Sequence, residues 1–415
     1  MIRRSVPTRH PGPGGSLVVR WLRILLREKL TDTGRLVFWL FLLASATGMA
    51  SFVVKIYLVW SVLLGLLATS ILASRLARVP LLAELQTPRN TVAGSTLELL
   101  LRVSNPTRRV ALDLQFSLLD PPPDLAWSRI PLERLSPGEE RVVLLPVGFP
   151  RRGHLILPGV RQENVFPWGL WRDKRRLAQP RSLLVYPAFH PLLSLDIPVG
   201  RRYQPGGIAL TSHVGESTEF VSTREFRTGD SLRNIHWRSW GRLGRPVVKE
   251  FQEEYFCRIA LLLDTCIPSK GGEEAFEAAI SLAASVANRL ALEEYVVDLF
   301  AAGPEVYHFQ AGRSLAYLEN VMDILACVEA CPEPPFQKLE PVLLDHMGNI
   351  TTTIAFLLAW DDERAGMLRA IRDRGSALKI LLIQPETPPL AENPVLGPIH
   401  WIPPERVRAG GVETL

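Results

Sequence analysis

Residues 36–73 read LVFWLFLLASATGMASFVVKIYLVWSVLLGLLATSILA, with one charged side chain, Lys55, among 38. As a single helix this stretch would be about 57 Å long, nearly twice the hydrocarbon thickness of a bilayer, about 30 Å. Two helices fit better: 36–54 and 56–73, with a tight turn near Lys55. A secretory signal would start its apolar core closer to Met1 and run only about 7–15 residues. A buried hairpin of a soluble protein is the other reading, but soluble helices this apolar on every face are rare. Trp39, Tyr57 and Trp60 partly resemble interfacial anchors. Arg20, Arg23, Arg27, Lys29 and Arg35 precede the first span, and Arg75 and Arg78 follow the second. By the bias of basic residues toward the cytoplasm, both termini and the soluble domains are expected on the cytoplasmic side of a bacterial inner membrane. Residues 20–30 (RWLRILLREKL) repeat apolar positions at helical spacing beneath basic ones, as an amphipathic helix on an anionic leaflet would.

Charge supports a lipid partner over a nucleic acid. The 415 residues carry 47 Lys and Arg against 42 Asp and Glu, a formal +5. Residues 1–35 hold eight basic and two acidic side chains, so the remainder is near −1 and no basic body is left to bind nucleic acid. The cysteines, Cys257, Cys266, Cys327 and Cys331, form no CxxC pair and lack a histidine at finger spacing, so zinc and a disulfide framework are both poor readings.

From about residue 81 to 192 the chain is short apolar runs cut by turn formers such as Asn105-Pro106, Pro121–Pro123 and Ser136-Pro137-Gly138. Runs of this length and spacing predict a β-sandwich of immunoglobulin-like type, either holding a partner or a distance at the membrane surface or giving plain structural support. In the last third, CRIALLLDT, YVVDLFAAG, EVYHFQ, TTIAFLLAW and ALKILLIQP read as strands. They alternate with helices over about 271–294, 314–330 and 363–374. That alternation predicts a doubly wound, mostly parallel α/β sheet. Cys327 and Cys331 are expected on one core-facing helix face, Gly206-Gly207 as a flexible connector, and the tail from Pro403 as frayed.

Residues 219–252 are the densest in chemistry. Between Thr223 and Glu250 seven Lys or Arg meet three acids, one His and two Trp. Three readings stay open. In a structural clasp, Arg224, Arg233 and Arg238 pair with Glu225 and Asp230 while Trp237 and Trp240 pack against the next domain. In an anion site, arginines converge near the Gly229 turn. In acid/base chemistry, His236 acts with Asp230 as its orienter.

The residues Arg224, Glu225, Phe226, Gly229, Asp230, Arg233, Ile235, His236, Trp237, Arg242, Val248, Lys249 and Glu250, in this spacing, resemble the signature of the bacterial domain-of-unknown-function family number 58. Arg151-Arg152-Gly153, Phe166-Pro167-Trp168-Gly169-Leu170 and Val185-Tyr186-Pro187 are similar to further stretches of that family. The likeness covers roughly residues 35–390. Trp240-Gly241 departs from it, since the family usually has Ser-Ala there. The resemblance implies a von Willebrand factor A-like C-terminal domain and an accessory or assembly role without catalysis. The implied partner is a MoxR-type AAA+ ATPase, and sometimes a transglutaminase-like membrane protein.

A functional von Willebrand A domain holds a divalent cation with D-x-S-x-S at the end of its first strand. Here the matching residues are Asp264, Cys266 and Pro268, of which a soft thiol and a proline are poor Mg²⁺ donors. Thr265, Ser269, Asp361 and Asp362 could partly compensate; the expectation is a degenerate site without metal or cofactor. No Walker A pattern or Gly-x-Ser-x-Gly elbow occurs.

The chain thus reads as a basic tail with an amphipathic helix (1–35), a transmembrane hairpin (36–78), a β-sandwich (79–200), the Arg-rich signature and connector (201–256), a von Willebrand A-like domain (257–405) and a frayed tail (406–415). Expected function is a non-catalytic, membrane-tethered cytoplasmic interaction factor. Its interaction residues are Arg224, Glu225, Gly229, Asp230, Arg233, His236, Trp237, Arg242 and Lys249. The alternative is a metal-dependent binding module or enzyme using Asp264 and the His236 region.

Overall fold

The computed structural model describes residues 25–50, 54–198, 220–228, 230–251, 258–267, 272–293, 295–302, 306–310, 315–331, 336–388 and 392–415. Residues 1–24, Gly206, Gly207, Gly229, Cys257, Pro268 and Ser269, on which several expectations fall, lie outside them. The chain divides into two units, Met1–Val185 and Tyr186–Leu415.

In the first unit the long apolar stretch forms two helices, α1 (Asp32–Ala50) and α2 (Val54–Leu76). The start of α1 lies upstream of the apolar run because Thr31 caps it: the Gly34 amide donates to Thr31 Oγ1 at 3.0 Å, and Asp32 sits in the first turn where the helix dipole favours an acid. Lys55, expected at the turn, instead occupies the first turn of α2. The helices pair as a hairpin. Trp60 Nε1 donates to Ser45 Oγ (2.9 Å), Tyr57 Oη donates to the Gly48 carbonyl (3.0 Å), and Trp60 stacks on Phe41 with ring centroids 5.7 Å apart. Leu36, Leu43, Leu58, Val62 and Leu72 project outward, exposed. By length and composition α2 suffices to cross a membrane.

The remainder of this unit is β1 (Leu82–Gln86), β2 (Asn90–Val92), β3 (Thr96–Ser104), β4 (Ala111–Leu118), β5 (Ala126–Trp127), β6 (Ile130–Leu135), β7 (Glu140–Gly148), β8 (Gly153–Leu157), β9 (Val160–Asn164), β10 (Asp173–Arg176) and β11 (Arg181–Tyr186). They form antiparallel sheets ordered β1-β3-β7-β5 and β10-β9-β4-β6, with a smaller β2-β11-β8 sheet. The sheets share one core. Leu99, Leu101 and Val103 of β3 and Leu145 and Val147 of β7 point inward at every second residue, meeting Leu114 and Phe116 of β4.

The hairpin's open end is clamped to these sheets. Thr31 donates through its amide to the Leu170 carbonyl (3.1 Å) and through its hydroxyl to that of Gly169 (2.5 Å); the Arg172 amide donates to the Lys29 carbonyl (2.6 Å). At the other helix end Arg78 forks onto Asp173, with both N–O distances 2.8 Å, and Arg109 donates to the Leu76 carbonyl at 3.3 Å. Gly34 permits the approach, since a Cβ there would fall 2.1 Å from the Leu170 carbonyl oxygen. The run Phe166–Leu170 is therefore the socket of the hairpin.

In the second unit, β12 (Phe220–Glu225) pairs antiparallel with β13 (Val247–Phe251), and between them lies the short helix α3 (Trp237–Leu243). A seven-stranded sheet follows from β14 (Arg258–Leu263), β15 (Val296–Ala302), β16 (Val306–Gln310), β17 (Thr352–Leu357), β18 (Ala377–Ile383), β19 (Glu392–Asn393) and β20 (Gly397–Ile402), in the order β16-β15-β14-β17-β18-β20-β19. The five inner strands are parallel and the two edges antiparallel. Helices α4 (Glu273–Leu292), α5 (Leu315–Cys327) and α8 (Pro404–Arg408) pack on one face, α6 (Phe336–His346) and α7 (Asp362–Asp373) on the other. Such inner strands are buried on both sides, which is why Thr352–Leu357 is covered at every position and reads as a continuous apolar run. Helix α4 is also long and apolar enough to cross a membrane, but 67% of its apolar window is buried in this core.

One helix was not foreseen, and three expectations are corrected. Helix α6 was hidden by Pro332, Pro334, Pro335 and Pro341, although Leu339, Leu343 and Met347 keep the spacing of a buried helix face. Residues 186–198, assigned to the sandwich domain, belong to the second unit, and the tail expected to fray returns to pair with them. The Leu193 amide donates to the Glu413 carbonyl (2.8 Å), the Asp196 amide to that of Leu415 (2.6 Å), and Val407 and Val412 are buried. Cys331 lies beyond the end of α5, and Cys327 is exposed, so the two do not share a core-facing helix stripe.

Candidate functional site

The β12–β13 pair brings the two ends of the Arg-rich segment together, with Arg224 opposite Val248, Thr223 opposite Lys249, and Glu225 opposite Val247. A bidentate pair closes the loop beyond β12: Arg224 Nη1 donates to Asp230 Oδ2 at 2.7 Å and Nη2 to Oδ1 at 2.8 Å, and the Arg227 amide adds a bond to Oδ2 at 2.7 Å. Planar matching of guanidinium and carboxylate makes this the strongest local constraint. These donors hold the Asp230 carboxyl down to about 2, the Arg224 hydrogen bonds contributing most. Ile235 is buried, and the His236 amide bonds the Val247 carbonyl at 2.8 Å, anchoring the segment to β13.

His236 caps α3. Its Nδ1 accepts from the Ser239 amide at 3.3 Å and lies 2.5 Å from Ser239 Oγ, while Gly244 ends the helix in the left-handed region at φ 69°. The imidazole is thus oriented by Ser239, and the carboxylate expected to orient it is taken up by Arg224 and Arg227.

The pairing inside the expected clasp also differs. Glu225 pairs with Arg245, whose role spacing did not reveal because it depends on how two strand ends align. Arg233, Arg238 and Arg242 are exposed, without an ion pair among the described residues. Trp237 stacks on Trp240 with centroids 5.3 Å apart and planes 15° apart, yet remains 67% exposed; Leu232 and Leu243 are exposed at 69% and 48%. The structure brings Arg224, Glu225, Asp230, His236 and Lys249 into one hydrogen-bonded module and presents Arg233, Trp237 and Arg242 on its surface.

The second constellation is at the point where the strand order of the large sheet reverses, between β14 and β17, the crevice where open α/β sheets usually bind ligands. Asp264 lies just beyond β14 and is 2% exposed. Its Oδ1 accepts from the Cys266 amide (2.9 Å); its Oδ2 accepts from the Leu358 amide (3.0 Å) and from Arg364 Nε (2.8 Å). Arg364, also 2% exposed, donates Nη2 to the Cys266 carbonyl at 3.2 Å and pairs through Nη1 with Asp361. Asp361 in turn caps α7 by accepting from the Arg364 amide at 2.8 Å. Burial pushes the Asp264 carboxyl up, opposed by Arg364 and the two amides.

A divalent cation does not fit these residues. The Asp264 oxygens are engaged, a guanidinium supplies the counter-charge, and the adjacent ligand position is the thiol of Cys266, a soft donor that suits a hard divalent cation poorly. Thr265 is buried with its hydroxyl unpartnered, and no group of three or more His, Cys, Asp or Glu converges among the described residues. Arg364 was missed in sequence although Asp361-x-x-Arg364 is the spacing of a capped first turn. Cys266 pairs with Cys331 through a parallel bridge flanked by the Cys331 amide on the Thr265 carbonyl, at 2.8 Å.

No family model matches the chain, and no curated protein matches it. Among solved structures, a Salmonella alpha-2-macroglobulin mutant is similar at 23% identity over 27% of this chain and 7% of that one, with a TM-score of 0.20. Native Escherichia coli alpha-2-macroglobulin from domain MG7 to its C-terminus is similar at 15% identity over 73% of this chain and 40% of that one, with a TM-score of 0.20. The chain spans well under half the length of either, and likeness this shallow carries nothing over to it.

Proposed function

We propose that this chain is a member of the domain-of-unknown-function family number 58, working as a non-catalytic interaction factor tethered to the bacterial inner membrane. In this reading the hairpin spans the bilayer with both termini cytoplasmic, the antiparallel sheets form an immunoglobulin-like sandwich, and the parallel sheet is a von Willebrand A-like domain. A MoxR-type AAA+ ATPase is the partner.

The observation that carries the reading is the surface of the Arg-rich module. Trp237, stacked on the half-buried Trp240, and two leucines stand exposed beside three exposed arginines without an ion pair among the described residues, on a module held by the Arg224–Asp230 fork. Tryptophan and arginine are the side chains most enriched among residues that dominate binding energy, and covering them with an acidic partner surface both buries apolar area and supplies the missing anions. The metal-dependent alternative is disfavoured by Arg364, which already neutralises Asp264.

The test is affinity purification of the detergent-solubilised chain with and without ATP and Mg²⁺, beside Trp237→Ala and Arg233→Ala variants, with metal analysis of the same samples. Expected is an AAA+ ATPase whose co-elution depends on nucleotide and is lost in both variants. Co-elution unchanged by the variants would sink the assigned surface. A stoichiometric divalent ion would restore the alternative.

A further inference from the structure

The hairpin's clamps set the depth of nearby surfaces. Leu76 ends α2, Arg78 forks onto Asp173, and Arg175 and Arg176 follow two and three residues along β10, about 7–10 Å further at strand rise. Beside them opens a depression of about 410 Å³ whose lining includes Leu82, Arg102, Arg175, Arg176 and Leu177, together with Glu84 and Glu140. Arg102 pairs with Glu140 at 3.2 Å and stands opposite Glu84 across the β1–β3 ladder. That leaves Arg175 and Arg176, both exposed and without an ion pair among the described residues. The surrounding surface is apolar where it nears the helices: Leu76 is 64% exposed, Leu82 63%, and Trp168, two residues before the carbonyl that Thr31 bonds, 57%.

We propose that this depression binds the phosphate of an anionic phospholipid in the leaflet that the hairpin enters, Arg175 and Arg176 contacting the phosphate and Leu82 and Leu177 the glycerol and upper acyl chain. This inference rests on reading the hairpin as membrane-spanning. Guanidinium groups fork onto phosphate oxygens, and basic residues next to a membrane helix recruit acidic lipids. Trp168 belongs at the same level, because an indole with an apolar body and one N–H donor settles where headgroups meet hydrocarbon.

The full chain in mild detergent is offered phosphatidylglycerol and phosphatidylcholine in equal amounts, and retained lipid is read by native mass spectrometry. Wild type retains phosphatidylglycerol preferentially. Arg175→Gln and Arg176→Gln each cut that preference about five-fold, and the Lys variants keep most of it. Equal retention of the two lipids by wild type, or a preference untouched in the double Gln variant with its melting temperature unchanged, would overturn the proposal. Displacement of the lipid by millimolar inorganic phosphate would show a free-anion pocket and overturn the lipid assignment. Extraction by alkaline carbonate separates the premise: release of wild-type chain from membranes refutes the spanning hairpin, whereas a resistant chain without lipid preference refutes only the site.

Discussion

Removing Arg364 leaves Asp264 as a carboxylate sealed at 2% exposure, with two amides and no cation beside it. Arg364→Met is therefore expected to destabilise the second unit by about 3–5 kcal/mol in urea unfolding, and the Asp264→Asn/Arg364→Met pair by distinctly less. A double variant no better than the single would mean that the ion pair is not what the arginine serves. Asp230 has the opposite environment, half-open and rich in donors. Its folded carboxyl lies near 2 against an ordinary 3.8, so its stabilisation is complete above about pH 4 and lost as pH falls through 2. Asp230→Asn should then cost about 1 kcal/mol at pH 6, screened by solvent, with the gap closing near pH 2. A gap constant from pH 6 to 2 would refute the assigned pairing. Residue density marked 219–252 and the spacing Asp264-x-Cys266-x-Pro268 marked the other region, yet the clasp reading gave Arg233 and Arg238 carboxylates that Arg224 and Arg245 hold, and Arg364 was overlooked, because an ion pair is decided by backbone paths that meet and composition records only which charges are present.

Among elements, the junction of α1 with the 169–172 segment carries the clearest demand on a single residue. Gly34→Ala would drive a methyl into the Leu170 carbonyl, an obstacle of backbone that cannot swing aside. The expected result is looser docking of the hairpin on the sheets, read as faster proteolysis near residues 25–35 and 166–172 with the second unit's melting unchanged. Equal cleavage of variant and wild type would show that the contact is dispensable. The two apolar helices were legible from hydropathy, while their bounds were not, since the start of α1 depends on Thr31 as cap and on the 169–170 carbonyls that Thr31 meets. Helix α6 escaped for a different reason: four prolines outweigh three apolar residues spaced four apart when only local preference is counted.

On the scale of the whole molecule, the chain's last residues complete the second unit. Deleting 406–415 removes buried Val407 and Val412 and the main-chain pairing with 193–196, and is expected to lower the melting temperature by several degrees. An unchanged melting temperature would return the tail to the frayed state its composition suggests. Strand and helix alternation, the membrane-length apolar run and the turn-cut β region were determined by the sequence alone, because period and hydropathy are properties of neighbouring residues. The seating of Thr31 on residues 169–170, the return of the C-terminus to 193–196 and the closure of Asp264 by an arginine 100 residues away were decided only by the tertiary structure. Each is a short-range contact between distant parts of the chain, and its energy exists only once packing has brought the partners within hydrogen-bonding distance and excluded water from between them.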